Sequence, residues 1–524
     1  MKRKGILILA WFVLSAAAQA PQTGMLSIRE ADLREEVTYL ASKELQGRGD
    51  GSPELRIAAE YVAEAFRKAG VQPAGDAGSY FQNFQMFTAR LGPATEFRVD
   101  RSILRLGSDY VPHYLSAKAD VEAPLVFIGY GVSAPPLKFD ELSGVDLRGK
   151  IAVVIDTNPH AADFDSAFNR INPGDFGSVR TKAANVSKAG AVGLVVIQNP
   201  ELSNYDLSGS LSAFRPDYPR KDAPMGDMTD PGNPRIPVVI LSESAGRSLV
   251  PSLRDLQRRI DDTLQPQVVD LGKRATLNMD IQRVPFATQN VLGRIEGSDP
   301  RLRSEVVVVG AHYDHDGEYN GDIWPGADDN ASGTAGVIAL ARAFGNGSKA
   351  PARSILLCAF AGEEKGEIGS QHYADHPVIP IERTVAMLQM DMIGRNEEHG
   401  SNRGLRLERE TSAQNANSVN VIGTTFSPDL MSLMTKADEQ INLKLLFRYD
   451  DTPENLLRRS DQWAFLKKGI PSLFIHTGEH PDYHRPSDTA DKINYPKMEK
   501  IVKLVYRAAE ALADAPARPR YRVP

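Results

Sequence analysis

The sequence predicts an α/β protein: a mixed, mainly parallel central sheet flanked by helices, with a β-rich unit inserted into it. Two observations carry that expectation. In the C-terminal half, near-continuous apolar runs, EVVVVGAH (305–312), SILLCAF (354–360), VAMLQMDM (385–392) and IPSLFI (470–475), alternate with helical patterns such as NASGTAGVIALARAF (330–344) and SPDLMSLMTKADEQI (427–441). Runs of that kind are how strands buried on both faces read, and their alternation with helices points to parallel connections. Between about 106 and 282 the rhythm differs. There PLVFIGYGV (124–132), KIAVVI (150–155), AVGLVVI (191–197) and IPVVILS (236–242) are separated by loops rich in Pro, Gly, Asp and Asn, which reads as a mostly β unit with one helix near 179–189.

Taken in order, residues 1–20, MKRKGILILAWFVLSAAAQA, have the form of a secretory leader. Lys2, Arg3 and Lys4 precede an apolar stretch from Ile6 to Leu14 and then small residues, with cleavage expected after Ala18. The stretch is short for a membrane anchor, and no later segment is long and apolar enough to span a bilayer. The expected location is therefore secreted or periplasmic, with no stable membrane association. Residues 21–105 form the N-terminal part of the main domain. Within 30–70, Ile57, Ala58, Tyr61, Val62, Ala65 and Phe66 recur at helical spacing and Gly70 is a stop. Residues 106–282 are the inserted unit and 283–514 the second part of the main domain. Its last helix, roughly 496–514, sets Met498, Ile501, Val502, Val505 and Ala509 on one stripe. The tail 515–524, APARPRYRVP, is expected to be flexible.

Bulk properties bound the rest. A length of 524 residues exceeds one ordinary core, and 42% hydrophobic with 24% charged residues is a globular composition. The net charge of −6 argues against nucleic-acid binding. The single cysteine, Cys358, excludes an intrachain disulfide and falls inside the apolar run LLCAF as a core residue.

Open α/β sheets bind ligands beyond the carboxyl ends of their strands. At those ends stand His312 with Asp314, the pair Glu363-Glu364, and Asp391. The loop PGADDNASG (325–333) adds Asp328 and Asp329, and HTGEHPDYH (476–484) adds His480, Asp482, Tyr483 and His484. Five segments thus deliver acid or imidazole groups to one rim, where unneutralised carboxylates would repel by several kcal/mol at intermediate dielectric (about 4 kcal/mol per close pair). Divalent cations relieve that repulsion, and mixed His and carboxylate donors suit zinc. Two ions balance three ligating carboxylates and a bridging hydroxide, which is a nucleophile near neutral pH. Of the adjacent glutamates, one would bind metal and the other carry protons, provided that a turn at Gly362 aims both at one site.

The segments GAHYD, PGADDNASG, AGEEKGEIGS, LQMDMIG and DYHRPSDT together resemble the blocks of the dizinc exopeptidase family. That family includes secreted bacterial aminopeptidases and glutamate carboxypeptidase II; LQGRGDG (45–51) is similar to it too. The resemblance implies two zinc ions, one on His312 and Asp391, the other on Glu364 and His484, bridged by Asp329, with Asp328 in a variable position. It implies Glu363 as general acid/base, Asp314 as the partner orienting His312, and Tyr483 as a group steadying the oxyanion. His315, His480 and Asp482 are left as loop or outer residues. The inserted unit, with GYGVSAPPLKFDELSGVDLRGKIAVVI and KAGAVGLVVIQNP, resembles a protease-associated domain. RSDQWAFLKKGIP (459–471) departs from a block that often reads Ser-Asp-His, with Gln462 in the histidine's place. The implied activity is that of a zinc aminopeptidase acting on peptide substrates. A carboxypeptidase or dipeptidase would need arginines such as Arg395, Arg403, Arg406, Arg458 or Arg459 in its pocket. Glutaminyl-cyclase-like acyl transfer would use one zinc, and a receptor-like role would need lost ligands.

Overall fold

A computed structural model describes residues 23–523 apart from 164, 170–175, 203–205, 216–219, 348, 399–409 and 453–454. The leader at 1–20, and Arg403 and Arg406, lie outside the described residues. The main sheet has ten strands, and its centre holds the four apolar runs. Ser354–Phe360, Val306–His312, Thr384–Met390 and Ser472–His476 lie side by side and parallel. Alternation explains their unbroken apolar character. Val307, Val309 and Ala311 join the core under the helices Glu30–Leu40, Pro53–Lys68, Gly333–Gly345 and Tyr495–Asp514. Val306 and Val308 enter a second core with Cys358, Phe360 and Phe465 on the opposite face. Strands with solvent on neither face have no position for a polar residue until they end, so the polar residues cluster at the ends.

Outside this centre the sheet turns antiparallel. The 15-residue strand Ile281–Ile295 pairs with Ser354–Phe360 on one side and Phe81–Leu91 on the other. Its far end runs out toward the inserted unit, which has its own eight-stranded sheet. There Ala119–Phe127, Ile151–Ile155, Gly193–Ile197 and Val238–Leu241 are parallel neighbours over a separate core. The expected helix is Val179–Lys188, capped by Ser178.

Three expectations need correction. The inserted unit begins before 106, since Glu96–Val99 and Ser102–Ile103 are strands of its sheet. In the other direction, Met225–Asp227 leaves that sheet and pairs with Phe81–Leu91 at the edge of the main one. The helical reading of 30–70 is interrupted at Ala41–Ser52, because LQGRGDG makes a tight turn there. Gly47 has a φ of +71°, and a Cβ on it would fall 2.3 Å from Trp324 O. The tail 515–523 has no regular structure yet is tied down: Arg518 pairs with Glu305, Arg520 with Asp429, and Tyr521 stacks on Phe426. Among the described residues no helix is long and apolar enough to cross a membrane.

Candidate metal centre

Strand ends and turns bring the candidate groups together. His312 closes Val306–His312, and Asp391 follows Thr384–Met390. Gly362, with φ +72°, turns the chain after Ser354–Phe360 so that Glu363 and Glu364 face one region. Asp314 fixes that turn: its two carboxylate oxygens accept from the backbone N–H groups of Glu363 at 3.3 Å and Glu364 at 3.2 Å. For His312, the Asp314 backbone oxygen is nearer to Nδ1, at 3.3 Å, than its carboxylate, at 3.7 Å.

The stretch ADDNASG lashes Asp329 to the neighbouring strand. Asn330 donates to Met390 O and accepts from the N–H groups of Met392 and Gly333. The Asp488 carboxylate accepts from the N–H groups of Asp328 and Asp329 at 2.9 and 3.2 Å. Gly333 is required because a Cβ there would sit 2.2 Å from Met390 O. The two aspartates diverge. Asp328 turns away, accepting from Gly394 N–H and lying 3.3 Å from His480 Nε2. Asp329 enters the centre.

There the spacings are informative. His312 Nε2 lies 3.3 Å from Asp329 Oδ1 and 3.4 Å from Asp391 Oδ1. His484 Nε2 lies 2.9 Å from Asp329 Oδ2 and 3.2 Å from Glu364 Oε2. Two donors on one tetrahedral zinc, each roughly 2.0–2.1 Å from it, stand about 3.4 Å apart. The residues therefore fit such an ion in both groups, and a buried atom in the first supports it. His312 Nε2 and Asp391 Oδ1 are buried without a hydrogen-bond partner, a costly arrangement unless a cation joins them. Glu363 Oε2, at 3.8 Å from His312 Nε2, stands farther out.

Electrostatics agree. Burial opposes charge on His312, but Asp391 and Glu363 pull its affinity for a proton well above the ordinary value. His484 is likewise pushed up to about 10, burial opposing and Glu364 and Asp329 prevailing. A field that draws protons onto two imidazoles is one that draws divalent cations. Burial, reinforced by Asp391 and Glu364 against His312, drives the Glu363 carboxyl well above its usual range. The Tyr483 phenol is also raised, chiefly by burial and then by Asp329, and its oxygen accepts from Arg459 Nη2 at 2.9 Å.

A cavity of about 270 Å³ opens beside these groups, lined by Asp329, Glu363, Asp391 and Tyr483 and farther out by Arg458, Arg459, Leu456, Phe474 and Glu479. Arg459 is engaged by Glu479 at 2.9 Å, and the Arg458 guanidinium lies over the Trp463 ring. Arg395 pairs with Asp482 at 3.0 Å, so Asp482 is an outer residue, as is His480. Gln462 is buried and donates to Leu457 O at 2.6 Å.

Four contributors were given no specific role from the sequence. Ser460 donates to Asp391 Oδ2 at 2.6 Å. Asp488 holds the Asp328-Asp329 turn. His315, left as a loop or outer residue, is buried with Nδ1 2.6 Å from Glu364 Oε1. From the inserted unit, the Lys221 ammonium lies over Trp324 and 3.3 Å from Asp316 Oδ2, itself 3.6 Å from His484 Nδ1. The signal for Ser460 and Asp488 was their place inside the quoted blocks; nothing local marks Lys221.

Comparison with known proteins identifies the family. The model of peptidase family M28 matches residues 290–509, and that of the PA domain matches 121–249. A protein of Arthroderma otae described as "Probable leucine aminopeptidase" is 30% identical over 43% of this chain and 64% of its own length. The chain thus spans somewhat under two thirds of that relative. The uncharacterized protein YfbL of Escherichia coli is 30% identical over 47% of this chain and 78% of its own length. The structure of an aminopeptidase from Aneurinibacillus sp. strain AM-1 superposes over 96% of this chain and 98% of its own, with a TM-score of 0.53 and 20% identity, a likeness of fold. The chain belongs to peptidase family M28 and carries a PA domain within its peptidase unit.

Proposed function

We propose that the protein is a two-zinc exopeptidase, most simply an aminopeptidase, exported by the leader at 1–20. One observation carries the reading: a single carboxylate, Asp329, approaches His312 with one oxygen and His484 with the other. One ion would be held by His312, Asp391 and Asp329, the other by Glu364, His484 and Asp329. Bound there, zinc supplies Lewis-acid polarisation of the scissile carbonyl and acidifies water. Glu363 is the proton carrier. It lies at the cavity wall outside the ligand spacings, and burial gives its carboxyl the raised affinity that suits a group taking a proton from water and passing it to the leaving amine. Asp314 sets the Glu363-Glu364 turn. Tyr483 remains a neutral phenol and can donate to oxyanion charge as it develops.

The cavity volume, just under the range that accommodates drug-sized ligands, suits one chain end rather than the middle of a peptide. An N-terminal ammonium is supported by the acidic residues Glu367 and Glu479 in the cavity lining, the latter shared with Arg459, and by the name of the Arthroderma relative. Arg458 and Arg459 on the same wall favour a second reading, capture of a free C-terminal carboxylate. The test is zinc analysis of the purified chain with matched dipeptide substrates, free or blocked at either end. Two zinc ions with hydrolysis only of free-amine substrates is the expected result. Turnover that requires a free carboxylate instead would replace the aminopeptidase reading, and one ion or none would remove the two-zinc site.

A further inference from the structure

We infer that His315 is a positioning residue for the second ion, holding Glu364 so that one carboxylate oxygen faces the metal and the other is withheld. The inference rests on Glu364 serving as a ligand, as proposed above. His315 Nδ1 and Glu364 Oε1 are 2.6 Å apart, with side chains 0% and 5% exposed. An ionised carboxylate only accepts, so Nδ1–H donates. The other oxygen, Oε2, is the one that stands 3.2 Å from His484 Nε2. The two oxygens of Glu364 therefore have separate partners.

The ring stands beside the ligand set. Its Nδ1 is 4.0 Å from Asp329 Oδ2, beyond the 2.9–3.4 Å spacings of the two triads. It is also held in place from several sides. The His315 N–H donates to Arg48 O at 3.2 Å. The ring packs against Gly326, where a Cβ would fall 2.5 Å from its Cγ, and meets His484 edge-on at 5.5 Å. Arg48 in turn is buried and donates to Tyr313 O, Pro325 O and Gly326 O. The turn LQGRGDG thereby acquires a use: it braces the residue that braces Glu364.

A glutamate free to rotate can bind an ion through one oxygen or both, and an outer donor that fixes the choice changes metal affinity by roughly 10–100-fold. The test uses the full chain, stripped of metal and titrated with zinc against a chromophoric chelator, with total zinc counted independently. His315→Leu and His315→Ala remove the donor with different volumes, so a folding defect in one leaves the other to be read. His315→Asn keeps an N–H near the Nδ1 position. Expected are two ions in the parent chain, a second ion weakened 10–100-fold in the Leu and Ala variants with the first unchanged, and recovery to within several-fold in Asn. Undiminished affinity for the second ion in the Leu and Ala variants overturns the inference. So does equal loss in all three variants, which would make the ring itself a ligand. A parent chain that takes up fewer than two ions overturns the two-zinc reading and this inference with it.

Discussion

Glu363→Gln is the sharpest perturbation of the proposed chemistry. The substitution keeps the volume and shape of a side chain on the cavity wall and leaves its backbone N–H on Asp314. It removes the ionisable carboxylate, and with it the ability to take up and release a proton. Proton transfer by a positioned side chain contributes roughly 10²–10⁴-fold, so the loss of kcat should correspond to about 3–5 kcal/mol of barrier. KM should change little. Zinc content should also hold, because Glu363 Oε2 is 3.8 Å from His312 Nε2 and the first ion keeps His312, Asp391 and Asp329. The pH profile adds an independent check. Glu363 must be ionised to act as a base, so the acid limb of kcat/KM in the parent should disappear in the residual activity of the variant. The assay is steady-state turnover of a free-amine chromogenic substrate with parallel metal analysis. A kcat within tenfold of the parent would refute the role of Glu363, and loss of an ion would recast it as a ligand.

Ser460→Ala removes the buried donor to Asp391 Oδ2. A hydrogen bond to a charged group contributes about 1.5–3 kcal/mol, so chelator competition should find the first ion bound roughly 10–150-fold more weakly and the second unchanged. Stability toward acid has a separate determinant in the inserted unit. Burial lowers His113 from 6.5 to about 4, so the unfolded chain takes up a proton first as pH falls. The stabilisation is complete above 6.5, declines between 6.5 and 4 and is gone below. Allowing for a residue that keeps part of its surface exposed, it amounts to about 2 kcal/mol. In urea unfolding at pH 7 and pH 4.5, His113→Asn should lose that much less stability than the parent; equal losses would exclude His113 as the cause.

The sequence made the centre of the fold legible because the four parallel strands are buried on both faces. Their polar ends stood out against apolar runs, and the rule that sites form at strand ends did the rest. Asp329 could be separated from Asp328 only through the surrounding motif, since the residues are adjacent and both buried. What stayed hidden acts through tertiary contact. Ser460 reaches Asp391 across 69 positions and His315 reaches Glu364 across 49, and although Ser460 lies within a quoted block, nothing local names the partner of either. Short strands failed for another reason: Met225–Asp227 and Glu96–Val99 are too brief to show a period. The tail's proline and arginine content reads as loose chain, whereas Arg518 and Arg520 each meet an acid on the folded surface and Arg522 donates to Thr425 O.

The three residues Met225–Asp227 tie the inserted unit to the edge of the main sheet. By zipping onto Phe81–Leu91 they cover part of what would otherwise be an open β-edge, and Asp227 meets His372 of the peptidase unit at 2.5 Å. Excising the insertion would thus bare main-chain amides at Met86–Thr88 and orphan that imidazole. Such edges recruit other chains, so the first symptom of a trimmed chain would be self-association, ahead of any change at the candidate metal centre.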